Sequence, residues 1–454
     1  MDLTSRLRTI VRSGPRAAAR ELTYEPDSGG YDAPIEPARV AEILGGRALT
    51  TTFGSCLVID RRYESDRQYG CLRVGECELE ALDQLQLLDP ALDAGRDARR
   101  AVFIDLETTG LSGGAGTVAF LVGCGYFDLG AFQVRQFLLT SYSGERALLM
   151  AVADFFEDAD LLVSYNGKTF DVPVMETRWL FHRMEMPLGR VPHFDMLHPA
   201  RRLWRSRTPA GAAGDDGGCR LSTLERALFG VRRVGDVPGF EIPSRFFRFL
   251  RSGDPRPLEP VLEHNRLDLV SLAAVTAQAS MLARAGAGAC RNEAEALALG
   301  RVFERAGFSA RAESCYRRGA GARESEVAAE ALYRLGLCLR RARRFVEAAD
   351  CWERLASLTE PAAVRRRPGM RELRMFATEA LAIHHEHRVR DLGLARELAM
   401  FALEESSDGR RTDGLRHRVA RLDRKIQRQP ALLPWPRTNT DRHAPPNNTD
   451  EHRR

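Results

Sequence analysis

The chain predicts a mixed α/β sheet covered by helices, followed by an all-α helical-repeat region. Three observations support that class. Strand-like apolar runs joined by short turns come first, then alternate with helical periodicities up to about residue 285. Past Gly286 the composition shifts to Ala, Leu, Arg and Glu with helical spacing throughout. Within that region Leu299-Gly300, Ala312 and Tyr316 recur 36 residues later as Leu335-Gly336, Ala348 and Trp352.

Bulk properties narrow the class. A length of 454 residues exceeds one ordinary core and suggests two or three domains. A hydrophobic content of 44% supplies enough apolar surface for globular cores. The formal net charge of +5 permits a polyanionic partner without requiring one. Nine scattered cysteines with no C-x-x-C pair exclude the usual zinc-ribbon spacing and argue for a reducing compartment. No apolar run suggests a bilayer span, and the N-terminus lacks a secretory signal's apolar core. The expectation is a cytoplasmic protein with no membrane partner.

In order, residues 1–36 read as a flexible basic N-terminus, with Leu3, Leu7, Ile10 and Val11 on a short amphipathic segment. Residues 37–99 read as a small α+β region: VAEILGG is a helix closed by glycine, and TTFGSCLVIDRRY and YGCLRV are strands. Its Arg61, Arg62, Tyr63 and Tyr69 suit either a nucleic-acid contact or a solvated strand face. Residues 100–285 form the mixed domain. AVFIDLETTG, TVAFLVGCGYF and AFQVRQFLLT are strands, the last two joined at Asp128-Leu129-Gly130. The glycine-rich stretch after the first strand lacks a following G-K-[S/T] and leads into a strand, so it is not read as a phosphate cradle. ERALLMAVADFF is a helix, LLVSYNG a strand, and DVPVMETRWLFHRM a helix with Asp171 at its N-cap. After a small-residue loop at 206–219 come helices in LSTLERALFG and SRFFRFLRSG, then the long helix LEPVLEHNRLDLVSLAAVTAQASML. Residues 290–428 hold the helical repeats, with a poorer third copy at Leu373–Leu403 carrying Ala395 and Ala399. Residues 413–428 form a basic helix with Leu415, Val419, Leu422 and Ile426 on one stripe. It suits a capping helix or a nucleic-acid-binding one. Residues 429–454 read as a disordered tail.

The first strand of the mixed domain carries the chemistry. Side chains at i and i+2 of a strand share a face, so Asp105 and Glu107 stand together at its end while Leu106 points away. Two like charges there repel and lose solvation, and oxygen-rich carboxylates suit a hard divalent cation. Asp171 in YNGKTFD and Asp268 in HNRLD add two further acids.

With these residues the chain resembles the DnaQ-like (DEDD) 3′–5′ exonucleases of ribonuclease-H-like fold. That family carries D-x-E on its first strand, an Asp after an N-x-x-x-F/Y pattern, and an Asp on a late helix preceded by Tyr or His. Here these are Asp105 and Glu107, then Asp171 after Asn166 to Phe170, then Asp268. The likeness covers about residues 100–285. TGLSGGAGTVAFLVG, YNGKTFD, HNRLDLVSL and the stretch at 195–202 resemble more narrowly the YprB-type ribonuclease-H-like proteins, which often carry a tetratricopeptide-like C-terminus. The resemblance implies an α/β ribonuclease-H-like mixed sheet flanked by helices and a metal-dependent exonuclease. It implies two Mg²⁺ or Mn²⁺ ions, with Asp105 bridging them, Glu107 and Asp268 completing one site and Asp171 holding the second. Thr108, Asn166 and Lys168 become candidate substrate contacts. The implied partner is nucleic acid, with single-stranded DNA or RNA ends favoured, and the repeats offer a surface for a protein partner.

One spacing departs from the family. There a Tyr precedes the last Asp by four residues, or a His by five, whereas His264 precedes Asp268 by four. At i and i+4 the two lie on one helix face. An imidazole is a competent base near neutral pH, and it equally suits a bond to a nearby carboxylate or carbonyl. Lys168 suits a phosphate contact or a solvated loop, and Asn166 a substrate contact or a turn. Asp195 suits a supporting role or a helix cap. The rival to the enzyme is a scaffold, in which a nuclease-like domain binds nucleic acid or protein and the repeats recruit partners.

Overall fold

The computed structural model describes residues 37–79, 83–92, 99–110, 116–205, 219–358, 368–406 and 409–428. The N-terminal amphipathic segment, positions 111–115 of the glycine-rich stretch, most of the 206–219 loop and the tail after 428 lie outside the described residues.

The chain opens with helix α1 (Pro37–Leu44), closed by Gly45 in the left-handed region, then strands β1 (Arg47–Thr51) and β2 (Gly54–Tyr63). A small ribbon, β3 (Gln68–Tyr69) and β4 (Leu72–Arg73), stands apart from the main sheet. Then follow β5 (Ala101–Thr108), β6 (Ala119–Asp128), β7 (Ala131–Leu138), α2 (Glu145–Phe156), β8 (Leu161–Ser164), α3 (Asp171–Phe181) and β9 (His193–Asp195). Helices α4 (Leu197–Trp204), α5 (Leu221–Phe229), α6 (Ile242–Ser252) and the long α7 (Glu259–Ala285) complete this part.

The seven-stranded sheet runs β1-β2-β7-β6-β5-β8-β9. β5 pairs antiparallel with β6 and parallel with β8, so the sheet changes character at β5. The β6–β7 turn places Leu129 and Gly130 at φ 51° and 75°, the left-handed pair that matches the twist of a two-residue hairpin. The expected separate region at 37–99 needs correcting. β2 pairs with β7 from Leu57↔Leu138 to Tyr63↔Phe132, so β1 and β2 are the edge of the main sheet.

The period of two along β5 sorts its side chains. Val102, Ile104 and Leu106 enter a core with α2, α3 and α6, where Phe246 stacks on Phe120 at 4.2 Å. Phe103 enters the opposite core beneath α7. Asp105 and Glu107 continue Phe103's face beyond that apolar layer. Helix α7 and its adjoining turns, Arg256–Ala289, are long and apolar enough by composition to cross a membrane, contrary to the sequence expectation. Most of its apolar window is buried inside the fold, where it supplies Leu269 through Ala283 to the core.

That second core runs on without a break into α8 (Glu293–Arg305), α9 (Ser309–Gly319), α10 (Ser325–Arg341), α11 (Phe345–Leu358) and α12 (Pro368–His384). α13 (Leu392–Glu405) and α14 (Gly409–Arg428) follow. The 36-residue recurrence has a packing cause. A Cβ at Gly300 would lie 2.6 Å from the Tyr316 ring, and one at Gly336 would lie 2.3 Å from Trp352 Nε1. In each hairpin a bare backbone therefore seats the aromatic of the next helix. Ala395 and Ala399 are fully buried between α13 and its neighbours. On α14, Arg418, Arg421 and Lys425 all turn inward onto the buried Glu386, at 2.7 to 3.0 Å. Those three charges are thus paired within the helical region.

Candidate active site

The sequence places acids on three separate elements, and the fold brings them to one face. Asp105 and Glu107 lie on β5, Asp171 opens α3 just after β8, and Asp268 lies midway along α7. Asp171 is the first residue of α3, with Phe170 at the N-cap, one position inside the expected cap.

Each acid is positioned by its surroundings. Asn265, wholly buried on α7, donates through Nδ2 to Asp105 Oδ2 at 2.8 Å and to the Asp105 carbonyl at 3.1 Å. Its own Oδ1 accepts from Gln136 Nε2 at 2.8 Å, and Gln136 accepts from Arg266 at 3.1 Å. This polar ladder crosses the sheet because β6 carries Gly123, where a Cβ would come within 2.1 Å of Asn265 Oδ1. The YNGKTFD loop is equally specified. Asn166 adopts φ 68°, and a Cβ at Gly167 would meet Ser164 Oγ at 2.3 Å. Buried Asp195 gathers the amides of Asn166, Lys168 and Leu197 at 2.8 to 3.1 Å, which fixes the loop that presents Asp171. Asp195 thus supports the loop; the N-cap of α4 is Met196.

The candidate substrate contacts have partners within the protein. Thr108 donates to the Gly110 carbonyl at 2.7 Å, and Asn166 Oδ1 accepts from Thr169 Oγ1 at 2.6 Å. Lys168 Nζ pairs with Asp89 at 3.2 Å, in the segment before β5.

Electrostatically, the carboxylates act on one another. Burial first, then the charges of Asp268, Glu107 and Asp171, hold the Asp105 carboxyl well above the usual range, with Asn265 opposing. Burial, then Asp268, Asp171 and Asp236, raise Glu107 in the same way. Asp171 is pushed up to about 7, chiefly by burial and then by Asp195 and Asp268, against amides that favour its ionised form. An all-oxygen donor set that repels itself fits a hard divalent cation. Yet among the described residues no three His, Cys, Asp or Glu side chains gather as a ready metal-binding group. The acids lie close enough to repel without converging on one point.

Asp268 accounts for part of that gap. Its Oδ1 accepts from Arg233 Nη2 at 2.5 Å, and its Oδ2 faces His264 Nε2 at 3.5 Å. His264 Nδ1 in turn lies 2.6 Å from Asp236 Oδ1. Despite the cost of partial burial, the bonds from His264 and Arg233 hold Asp236 below the usual carboxylate range. Arg233, Asp236, Asn265 and Glu225 were not singled out by the sequence reading. Asn265 sits within the HNRLD motif and could have been found by its helix face. Arg233 and Asp236 occupy a loop without periodicity, and no local pattern marks them.

Comparison with known proteins agrees with this architecture. Residues 102–280 match the model of the RNase_H superfamily. The chain is 30% identical over 377 residues to the uncharacterized protein YprB of Bacillus subtilis (strain 168), covering 82% of this chain and 86% of that protein. The family B DNA polymerase of Pyrobaculum calidifontis shares 14% identity over 46% of this chain and 29% of its own, with a TM-score of 0.31, too low to support an argument. By the extent of its likeness to YprB the chain belongs to the YprB family, and its residues 102–280 carry an RNase_H superfamily domain.

Proposed function

We propose that the chain is a divalent-metal-dependent nuclease of the DnaQ-like (DEDD) type, a 3′–5′ exonuclease acting on single-stranded DNA or RNA ends. One observation carries the reading: Asp105, Glu107, Asp171 and Asp268, drawn from three elements, lie close enough on one face for their charges to act on one another. Asp105, Glu107, Asp171 and Asp268 would hold two Mg²⁺ or Mn²⁺ ions, which when bound neutralise charge at the attacking water and the departing 3′ oxygen. Asn265 orients Asp105 for that task. His264 is the proposed base. With Nδ1 bonded to Asp236, its Nε2 is the basic edge, and it faces Asp268, where it can take a proton from the attacking water. Thr108, Asn166 and Lys168 are the proposed substrate contacts, Lys168 exchanging Asp89 for a phosphate. The tetratricopeptide-like helical region supplies a surface for a protein partner.

The test is a panel of 5′-labelled single-stranded DNA and RNA with Mg²⁺ or Mn²⁺, using wild type and Asp105→Ala in parallel. Wild type shortens strands from the 3′ end and the variant does not. Intact substrates with wild type, or an equally active variant, overturn the reading, and scission of a circular strand reassigns it as an endonuclease. A scaffold is the second reading, favoured by the Arg233 bond that occupies Asp268. Nucleic-acid or protein capture without Mn²⁺ binding would establish it.

A further inference from the structure

Arg233 reaches into the acid cluster from the loop between α5 and α6, and it is 6% exposed there. Its guanidinium touches three carboxylates. Nε and Nη2 grip Glu225 at 2.8 and 3.0 Å, Nη1 holds Asp236 at 3.2 Å, and Nη2 holds Asp268 at 2.5 Å. Glu225 is buried on α5 and accepts further bonds from Tyr69 and Ser271, so its grip on Arg233 is fixed from behind. Such a two-point bond to a planar fork is the strongest of the three attachments.

Two consequences follow. Asp268 has one oxygen on Arg233 and the other toward His264, so a cation must compete for it. Arg233 can also release Asp268 without being left uncompensated, because Glu225 and Asp236 remain. A desolvated arginine that lost all its partners would resist such a step, and the two carboxylates that stay on Arg233 reduce that resistance.

We propose that Arg233 is a built-in counter-ion that occupies Asp268 and withholds it from a divalent cation, so that the free protein takes one ion readily and a second only by displacing Arg233. This rests on the nuclease reading of the acid cluster, and it assigns Arg233 a positioning role acting through Asp268.

The experiment is calorimetric titration of the full chain with Mn²⁺ alone, without nucleic acid. Wild type is expected to show one site per chain and a second about tenfold weaker or undetectable. Glu225→Gln with Arg233→Gln removes both halves of the buried pair, and in it the second ion tightens by about tenfold while the first is unchanged. Arg233→Lys keeps a charge for Glu225 but loses the fork, and its second site falls between the two. Should the double variant not fold, that intermediate result carries the test. Two equivalent ions in wild type, or a second site unmoved in the folded variants, overturn the role of Arg233 and leave the nuclease reading standing. No Mn²⁺ binding by any of these chains overturns the nuclease reading itself and the inference with it.

Discussion

Without a cation, burial and the charges of Asp268, Glu107 and Asp171 make the folded state hold the Asp105 proton more tightly than the unfolded chain does. For an acid raised in this way, the stability it contributes is present at low pH and lost as pH rises through the folded value. Above its unfolded value, and so at pH 7.5, Asp105 is therefore a net cost to the metal-free fold. Asp105→Asn removes that charge and keeps an oxygen for Asn265. The metal-free variant should gain about 1 kcal/mol in stability and lose the rise in melting temperature that Mn²⁺ gives wild type. A variant less stable than wild type, or one still stabilised by Mn²⁺, contradicts this. His193 gives the opposite sign. Burial beside Ser164 lowers it to about 4, with Asp195 opposing. Stability from a base lowered in this way is present above the unfolded value and is lost as pH falls toward the folded one. Relative to His193→Gln, wild type should lose about 2 kcal/mol between pH 7.5 and pH 5, read from urea midpoints at each pH. At this scale the four carboxylates were legible because each sits in a local motif on one strand, helix start or helix face. Arg233 and Asp236 were not, since they meet Asp268 and His264 only through the tertiary path of an aperiodic loop.

Elements were legible where periodicity is strong and chain-local. The β6–β7 hairpin, α2 and α7 lie where alternation and helical spacing put them. β9 was missed as a strand because three residues, His193–Asp195, are too few to show a period. The placement of β1 and β2 was also hidden: their strand character is local, but their pairing with β7 depends on closure over a long stretch of chain. The recurrence at Gly300 and Gly336 was legible as spacing, and its physical meaning came from the aromatic seated on each glycine. In a helix interior Gly→Ala ordinarily stabilises by up to about 1 kcal/mol. Gly336→Ala should instead destabilise by about 1 to 3 kcal/mol, because its Cβ would strike the Trp352 ring in a packed core. Thermal unfolding of Gly336→Ala against Gly414→Ala, where a Cβ meets open space on α14, separates the two effects. Equal shifts in the two variants would show that the Trp352 contact carries no constraint.

At the scale of the molecule, the boundary between sheet domain and helical array is a change of architecture with no break in packing. Phe103 and Val163 of the sheet, Leu269 to Ala283 of α7 and Ala296 to Leu339 of the array belong to one core. Polar contacts reinforce the seam: Trp204 Nε1 donates to Glu295 Oε1 at 2.7 Å, and Arg291 donates to the Ala227 carbonyl at 3.3 Å. Helix α7 has the apolar content of a membrane span because it is covered on the sheet side and again on the array side. Its composition cannot be satisfied by the sheet alone. A chain ending at Ala285 would leave that second side in water, at about 1.5 to 3 kcal/mol for each large apolar side chain uncovered. The full chain should melt in one cooperative transition, and the fragment should melt about 10 °C or more lower, or associate through the bared face of α7. Scanning calorimetry with light scattering reads both. Two well-separated transitions in the full chain, with a fragment that stays monomeric and melts at the upper one, would show that the sheet domain closes its own core and that the array is an appendage.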